Sequence, residues 1–208
     1  MKLHRSDINQ MDSRFRGQFI NSLSGYKSAN LIGTADAQGN TNLAIISSVV
    51  HLGAHPPLLA FIHRPDSVSR HTFKNIQANG CFSINHLHQD DIVAGHQTSA
   101  RYPSETSEFQ ACGFTEQWFE GFSAPLVKES HIKLAMRYVE HHNLLNQTIM
   151  IIGELDLVEI PEEILRKDGS LDIAAAKTVA IAGLDSYYDV EKIARFAYAK
   201  SDTLPTEI

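Results

Sequence analysis

The sequence predicts a mainly β fold (α+β), a closed or nearly closed barrel with peripheral helices. Three observations predict it. Apolar runs of strand length dominate the middle of the chain, helical patterns are appended to them, and the two do not alternate as a doubly wound sheet requires. The 208 residues, 43% hydrophobic and 20% charged, suit one domain with a sizeable core. That domain is expected over 1–208, with helical extensions at 1–25 and 171–208.

Residues 13–24 predict a short helix. Ser13 can cap it, Phe15, Phe19 and Leu23 recur every four residues, and Gly25 can end it. Residues 29–35 predict a strand, and Asp36-Ala-Gln-Gly-Asn40 a turn. Residues 42–50 follow as a second strand rich in β-branched side chains, so the two form a hairpin. Pro56 and Pro57 punctuate before a third strand at 58–63. After the loop at 64–67, Val68, Thr72, Phe73 and Ile76 give a largely apolar helical face that ends near Gly80. Residues 81–87 return as a strand.

Residues 88–124 are polar and irregular, a long excursion of the kind that often carries function. Residues 128–138 and 148–160 predict two further strands. Residues 171–181 and 189–200 carry helical patterns, and 201–208 predicts a loosely ordered tail.

Composition removes several classes. A net charge of −6 with neutral histidines argues against a nucleic-acid-binding surface. No run approaches the roughly 20 apolar residues that span a membrane, and the first ten residues lack the apolar core of a signal peptide. Two cysteines, Cys81 and Cys112, make no disulfide framework. A reducing, cytoplasmic setting is the expectation. Neither GxGxxG nor GxxxxGK[ST] occurs, so no phosphate-loop fingerprint is present.

The informative stretch is 42–85. In Arg64-Pro-Asp-Ser-Val-Ser-Arg-His-Thr72, a strand end meets a helix start. Unpaired N–H groups and the helix dipole favour an anion there. Arg64, Ser67, Ser69, Arg70, His71 and Thr72 surround that point, and two guanidiniums with hydroxyls can clamp a phosphate. An ordinary capped helix with solvated arginines would offer the same residues. In Asn42-Leu-Ala-Ile-Ile-Ser-Ser48, hydroxyls at a strand end and exposed strand backbone can bond the polar edge of a planar ring. Serines at a plain sheet edge would also read this way.

Together these segments resemble the flavin reductase-like, FMN-binding split-barrel family, flavoredoxins among them. The resemblance rests on the run from Asn42 through Ser47, Ser48 and Pro56-Pro-Leu58. It continues through Arg64-Pro…Arg70-His-Thr-Phe-Lys-Asn-Ile76 and Gly80-Cys-Phe-Ser-Ile-Asn85. Thr106-Ser-Glu-Phe109 with Gly113-Phe, Ala124-Pro-Leu126 and Ile152-Gly-Glu154 follow in order, so it spans about 25–157. It implies an antiparallel split β-barrel, a homodimer and FMN near the subunit interface. It also implies that Ile46, Ser47 and Ser48 line the isoalloxazine, and that Arg64, Ser69, Arg70 and Thr72 hold the phosphate. His71 and Asn85 are further candidates. Thr98-Ser-Ala-Arg101 is a candidate closure over the cofactor, and Gly183-Leu-Asp-Ser-Tyr-Tyr188 a candidate lid or dimer contact or simple packing.

The activity so implied is NAD(P)H-dependent hydride transfer through flavin to a small-molecule acceptor. No nicotinamide-binding motif is legible, and a non-catalytic FMN electron carrier or redox sensor is the alternative. Flavin chemistry belongs to the cofactor, which fits the lack of a catalytic triad or carboxylate pair. The eleven histidines raise a separate reading. His86, His88 and His96, or Glu140 with His141 and His142, could ligate a metal, but no third ligand stands at a specific spacing.

Overall fold

The computed structural model describes residues 1–65, 71–103 and 105–208. Helices α1 (Arg5–Gln10) and α2 (Ser13–Leu23) lead the chain. The cap of α2 is Asp12 rather than Ser13: its carboxylate accepts from the Arg14 and Phe15 N–H groups. A carboxylate at this position also favours the helix dipole.

The short strand β1 (Lys27–Ser28) precedes β2 (Asn30–Ala35) and β3 (Thr41–Ile46), which form the expected hairpin. Asp36 Oδ1 ties its turn by accepting from the N–H groups of Gln38 and Asn40. The strand predicted over 42–50 is two elements. It breaks after Ile46, and β4 (Val50–Ala54) pairs instead with β5 (Pro57–His63). Both halves carry β-branched residues, so their pattern runs across the break.

Helix α3 (His71–Asn79) and β6 (Cys81–His86) follow, then α4 (Ile92–Gln97) and α5 (Glu108–Cys112) within the excursion. Gly113, at φ 82°, ends α5 in the left-handed conformation. The two-residue strands β7 (Glu116–Gln117) and β8 (Leu126–Val127) pair with each other. Then come β9 (Lys133–Asn143), β10 (Ile149–Glu159), β11 (Ala180–Ala182) and β12 (Ser186–Tyr188). β9 starts later than the expected 128–138, because Val127 and Ser130 make a turn first.

The main sheet runs β3-β2-β6-β9-β10-β5-β4, antiparallel throughout, and a small sheet runs β1-β11-β12. β2 is buried at every position because both of its faces are covered. On one side Leu31 and Leu43 pack with Phe109 of α5, Phe114 and Val179. On the other, Ile32, Phe61, Phe82, Met136 and Ile151 pack with Phe73 and Ile76 of α3. The rings of Phe61 and Phe82 meet edge to face, with centroids 5.4 Å apart.

Neither predicted C-terminal helix forms. Leu171 bridges to Leu165, residues 173–177 are turns, with the Asp172 carboxylate accepting from Ala175 N–H, and 180–182 is strand β11. Residues 189–200 form no helix or strand, and an isolated bridge pairs Phe196 with Glu207 of the tail. Ile193, Phe196 and Tyr198 are exposed, so the helical pattern there has no core face to dock against. No helix among the described residues is long and apolar enough to cross a membrane.

Candidate functional site

The outer edge of β3 sets up the site. An edge strand presents unpaired N–H groups, and here side chains answer them. The Leu43 N–H donates to Glu108 Oε2 at 3.0 Å, and the Ile45 N–H to Thr98 Oγ1 at 3.0 Å. Thr98 in turn donates to the Gly95 carbonyl, which fixes its hydroxyl. Past the end of β3, Ser48 Oγ donates to the Ile62 carbonyl and accepts the Ile62 N–H. One hydroxyl thus ties the link between β3 and β4 to the end of β5.

A cavity of about 1070 Å³ opens beside this edge. Asn42 and residues 44–48 form one wall, and Ile62, His63, Arg64 and Pro65 form the next with His71 and Thr72 of α3. Residues 98–102, His96 and Glu108 face them. Gly17 and Asn21 of α2, with Ile181, Leu184 and Tyr187, make a roof, while Asn146 and Thr148 come from the β9–β10 turn. The roof is tied together: Gln18 Nε2 donates to Asp185 Oδ2, and Lys27 Nζ to the carbonyls of Asn21 and Gly183.

Six of the nine expected site residues therefore share one cavity: Ile46, Ser47, Ser48, Arg64, His71 and Thr72. Ser69 and Arg70 lie outside the described residues. Asn85 is elsewhere. It is wholly buried in β6, donates to the Leu31 carbonyl and Ser83 Oγ, and accepts the Val127 N–H. Its amide binds β8 to the sheet, a structural duty that uses both ends of the side chain. Ser48 lines the cavity with its hydroxyl already committed to Ile62. Thr72 Oγ1 accepts from Asn42 Nδ2 at 3.1 Å, which leaves its own hydrogen as a donor.

Two titrating groups in the cavity are perturbed. Burial raises the Glu108 carboxyl, against the Leu43 N–H and the charge of His71, which lower it. Burial pushes the Tyr187 phenol up to about 12, with Asp185 adding to the shift. Tyr187 Oη lies 2.9 Å from His96 Nδ1.

The candidate closure at 98–101 and the candidate lid at 183–188 contribute Thr98 and Tyr187 to the cavity, and Glu108 joins them with no signal in the sequence pattern. Glu108 and Thr98 sit 65 and 53 residues from their partners, so no local pattern signals them. The histidines weighed as metal ligands are dispersed. His86 Nδ1 pairs with Thr178 Oγ1, the His88 ring lies tilted at 52° against that of His131, and His141 bonds Tyr138. Among the described residues no three His, Cys, Asp or Glu side chains converge.

Comparison with known proteins agrees with this architecture. The family model described as flavin reductase like domain matches residues 23–174. A candidate flavin reductase with a split barrel domain from Shewanella frigidimarina is 50% identical. It superposes with a TM-score of 0.92 over 96% of this chain and 100% of that one. Nitrilotriacetate monooxygenase component B from Bacillus cereus is 18% identical, with a TM-score of 0.80 over 92% of this chain and 96% of that one. Flavoredoxin of Desulfovibrio vulgaris is 23% identical, with a TM-score of 0.70 over 85% and 91%. These last two share the fold. The chain belongs to the flavin reductase-like family and has its split-barrel fold.

Proposed function

We propose that this protein binds FMN in the cavity beside β3 and uses it to pass hydride from NADH or NADPH to a small-molecule acceptor. The observation that carries the reading is the meeting, in one cavity, of a cationic, hydroxyl-bearing end (Arg64, His71, Thr72) with the open strand end at 46–48. The first suits a phosphate dianion, because a guanidinium and an O–H donor can both bond its oxygens. The second suits the polar edge of a flat ring, because strand backbone offers donors and acceptors in a line. The cavity volume of about 1070 Å³ is ample for a mononucleotide, since ligand pockets run roughly 300–1,000 Å³.

FMN bound there would supply hydride and electron transfer. The chain's own contribution is binding and orientation. Arg64 and Thr72, with Ser69 and Arg70, hold the phosphate end. Ile46 supplies an apolar contact to the ring, and Ser47 with the backbone at 46–48 bonds its edge. Ser48 keeps that backbone in place through Ile62. The roof of α2 and β11–β12 limits water at the ring.

An absorbance spectrum of the purified protein, before and after addition of FMN and then of each nicotinamide, tests this. A bound-flavin spectrum that bleaches with NADH or NADPH is the expected result and names the donor. A flavin spectrum that persists under both donors would make the protein a carrier. No bound flavin would overturn the reading. Arg64→Ala combined with Arg70→Ala should weaken FMN binding at least tenfold, because each charge-assisted bond is worth about 1.5–3 kcal/mol. Unchanged affinity would remove the phosphate assignment.

A further inference from the structure

Helix α2 lies over the cavity, with Gly17 and Asn21 among its lining, yet no residue of α1 or α2 is buried. A helix of eleven residues is marginal in water unless it docks an apolar face. Phe15, Ile20 and Leu23 of α2 are instead more than two-fifths exposed. The ties that hold α2 to the roof are polar. Gln18 Nε2 donates to Asp185 Oδ2 at 3.2 Å, and Lys27 Nζ donates to the carbonyls of Asn21 and Gly183 at 3.2 and 3.5 Å. The first bond is exposed and the others are only partly buried, so water competes for the same groups. Arg16 spends its guanidinium on the Asn9 and Met11 carbonyls, which ties α1 to α2 as one body.

The seat beneath α2 is fixed by contrast. Strand β1 pairs with β11, Lys27 opposite Ile181 and Ser28 opposite Ala180. Ile181 is buried in the core with Ala29 and Leu31, and the Tyr26 ring meets Tyr188 of β12 edge to face with centroids 4.8 Å apart. Between helix and seat stands Gly25, at φ 69°, where a Cβ would meet nothing within 4 Å. Glycine moves between backbone regions without a Cβ clash, and hinges fall at element ends of this kind. The segment 183–188, a candidate lid by sequence, is thus the surface on which a lid closes.

We propose that α1 and α2 form a lid, hinged at Gly25, whose opening admits and releases FMN. The inference rests on the flavin reading above and deepens it: the flavin is an exchangeable ligand of the cavity rather than a permanently held group. With the lid down, Gly17 and Asn21 cover the cavity and the Gln18 and Lys27 bonds close it. With the lid up, the roof keeps Ile181, Leu184 and Tyr187, and the cavity is open beside β11–β12. An element with little burial and a few exposed bonds opens locally without unfolding the sheet. Because the lid gates both directions, it sets the rates of entry and exit more than the affinity.

A cross-link tests this. A Cβ at 183 would lie 3.1 Å from Ser22 Oγ, and neither residue lines the cavity. Ser22→Cys with Gly183→Cys is therefore placed for a disulfide, whose Cβ atoms stand about 3.5–4.5 Å apart. Gly183→Cys alone, which carries a side chain at φ 63°, is the control. Thiol titration confirms the bridge, with Cys81 and Cys112 left free. Flavin absorbance in a stopped-flow mixer reads entry of FMN, and exchange of bound FMN for tritiated FMN reads exit. Both rates should fall at least tenfold in the oxidised double variant, and dithiothreitol should restore both. Gln18→Ala removes one tie and should raise both rates about threefold, the loss of one exposed hydrogen bond, with Kd moving less than twofold. Amide hydrogen exchange in the FMN-free wild type should be at least a hundredfold faster in α2 than in β2.

If FMN binds and the bridged protein admits and releases it at the wild-type rates, the lid is overturned and the flavin reading stands. If the bridge slows exit alone, α2 is a contact to the flavin and not a gate, and the lid is overturned as well. Unchanged rates in Gln18→Ala, with α2 amides as protected as those of β2, overturn it even where the bridge fails to form. If the wild type binds no FMN, both readings fall together.

Discussion

Thr98, Glu108 and Ser48 are short or medium side chains that each replace a piece of β-ladder. Leu43 N–H, Ile45 N–H and both backbone groups of Ile62 would otherwise need a neighbouring strand. With side chains in that place, the sheet ends beside open space without leaving those polar groups unpaired. Asn85 shows the same economy inside the core, where one amide serves Leu31, Ser83 and Val127. His86, on the same strand, carries a prediction about pH. Burial lowers its imidazole from 6.5 to about 4, and Nδ1 lies 3.2 Å from Thr178 Oγ1. Between those two values the unfolded chain binds a proton that the native ring refuses. Stability should therefore fall as pH drops from 6.5 to 4, with no further loss from this residue below that, a total on the order of 3 kcal/mol. Burial also lowers the imidazole of His88, which adds a loss of the same sign. The lowered carboxylates Asp12, Asp36 and Asp172 act only below their ordinary range. Urea midpoints at pH 7.5 and pH 4.5 should differ less in His86→Gln than in the wild type. Equal differences in the two proteins would show that native His86 takes up its proton near 6.5.

The strand β2 has no tolerance at Gly33. A Cβ there would lie 2.3 Å from the Pro125 carbonyl oxygen and 2.5 Å from Ser83 Oγ, which themselves hydrogen-bond at 2.6 Å across the glycine. Gly33→Ala must push the 125–127 segment off the sheet, and overpacking of this kind costs about 1–3 kcal/mol. Gly17→Ala on α2 meets nothing within 4 Å and should gain roughly 0.5–1 kcal/mol from helix propensity. Thermal melts should move in opposite directions for the two variants, and a Gly33→Ala melt at or above wild type would show that the segment yields freely. The contrast also explains what the sequence conveyed. The hairpin at 29–46, β5, α3, β6 and β10 were legible because each is an apolar run of strand length or an apolar helical face and the turns carry their usual residues. The break at 47–49 was not, because β-branched residues flank it on both sides, Ile45 and Ile46 before and Val49 and Val50 after. The C-terminal segments failed for the opposite reason. Their spacing is helical, but Ile193, Phe196 and Tyr198 find no face in this chain to bury against. Of the cavity lining, Ile46 to Ser48 and Arg64, His71 and Thr72 come from two stretches contiguous in sequence, with Ser69 and Arg70 outside the described residues. Thr98, Glu108 and Tyr187 reach the cavity from distant elements, and only the fold brings them there.

At the scale of the whole molecule, the main sheet stops at β4, and its far edge bears Val50 and Leu52, both more than two-fifths exposed. Val139 on β9 and Leu157 and Val158 on β10 are exposed on the same sheet, and Phe15 and Leu23 of α2 add further apolar surface. An edge strand with exposed apolar side chains invites pairing with another chain unless something covers it. The family resemblance expects a second copy in that role, with the flavin close to the interface. Ser47 and Ser48 on the cavity wall lead directly into β4, so a partner seated on β4 would also stiffen that wall. Sedimentation of the wild type should give twice the chain mass at micromolar concentration. If a second copy covers this surface, Leu52→Lys together with Val158→Lys would bury two charges and should give a monomer, since a lysine desolvated without a partner costs several kcal/mol. The same variant should bind FMN at least tenfold more weakly if the β4 partner supports the cavity wall. A monomeric variant with unchanged FMN affinity would separate assembly from the site, and a wild type that sediments as a monomer would leave β4 as an exposed edge.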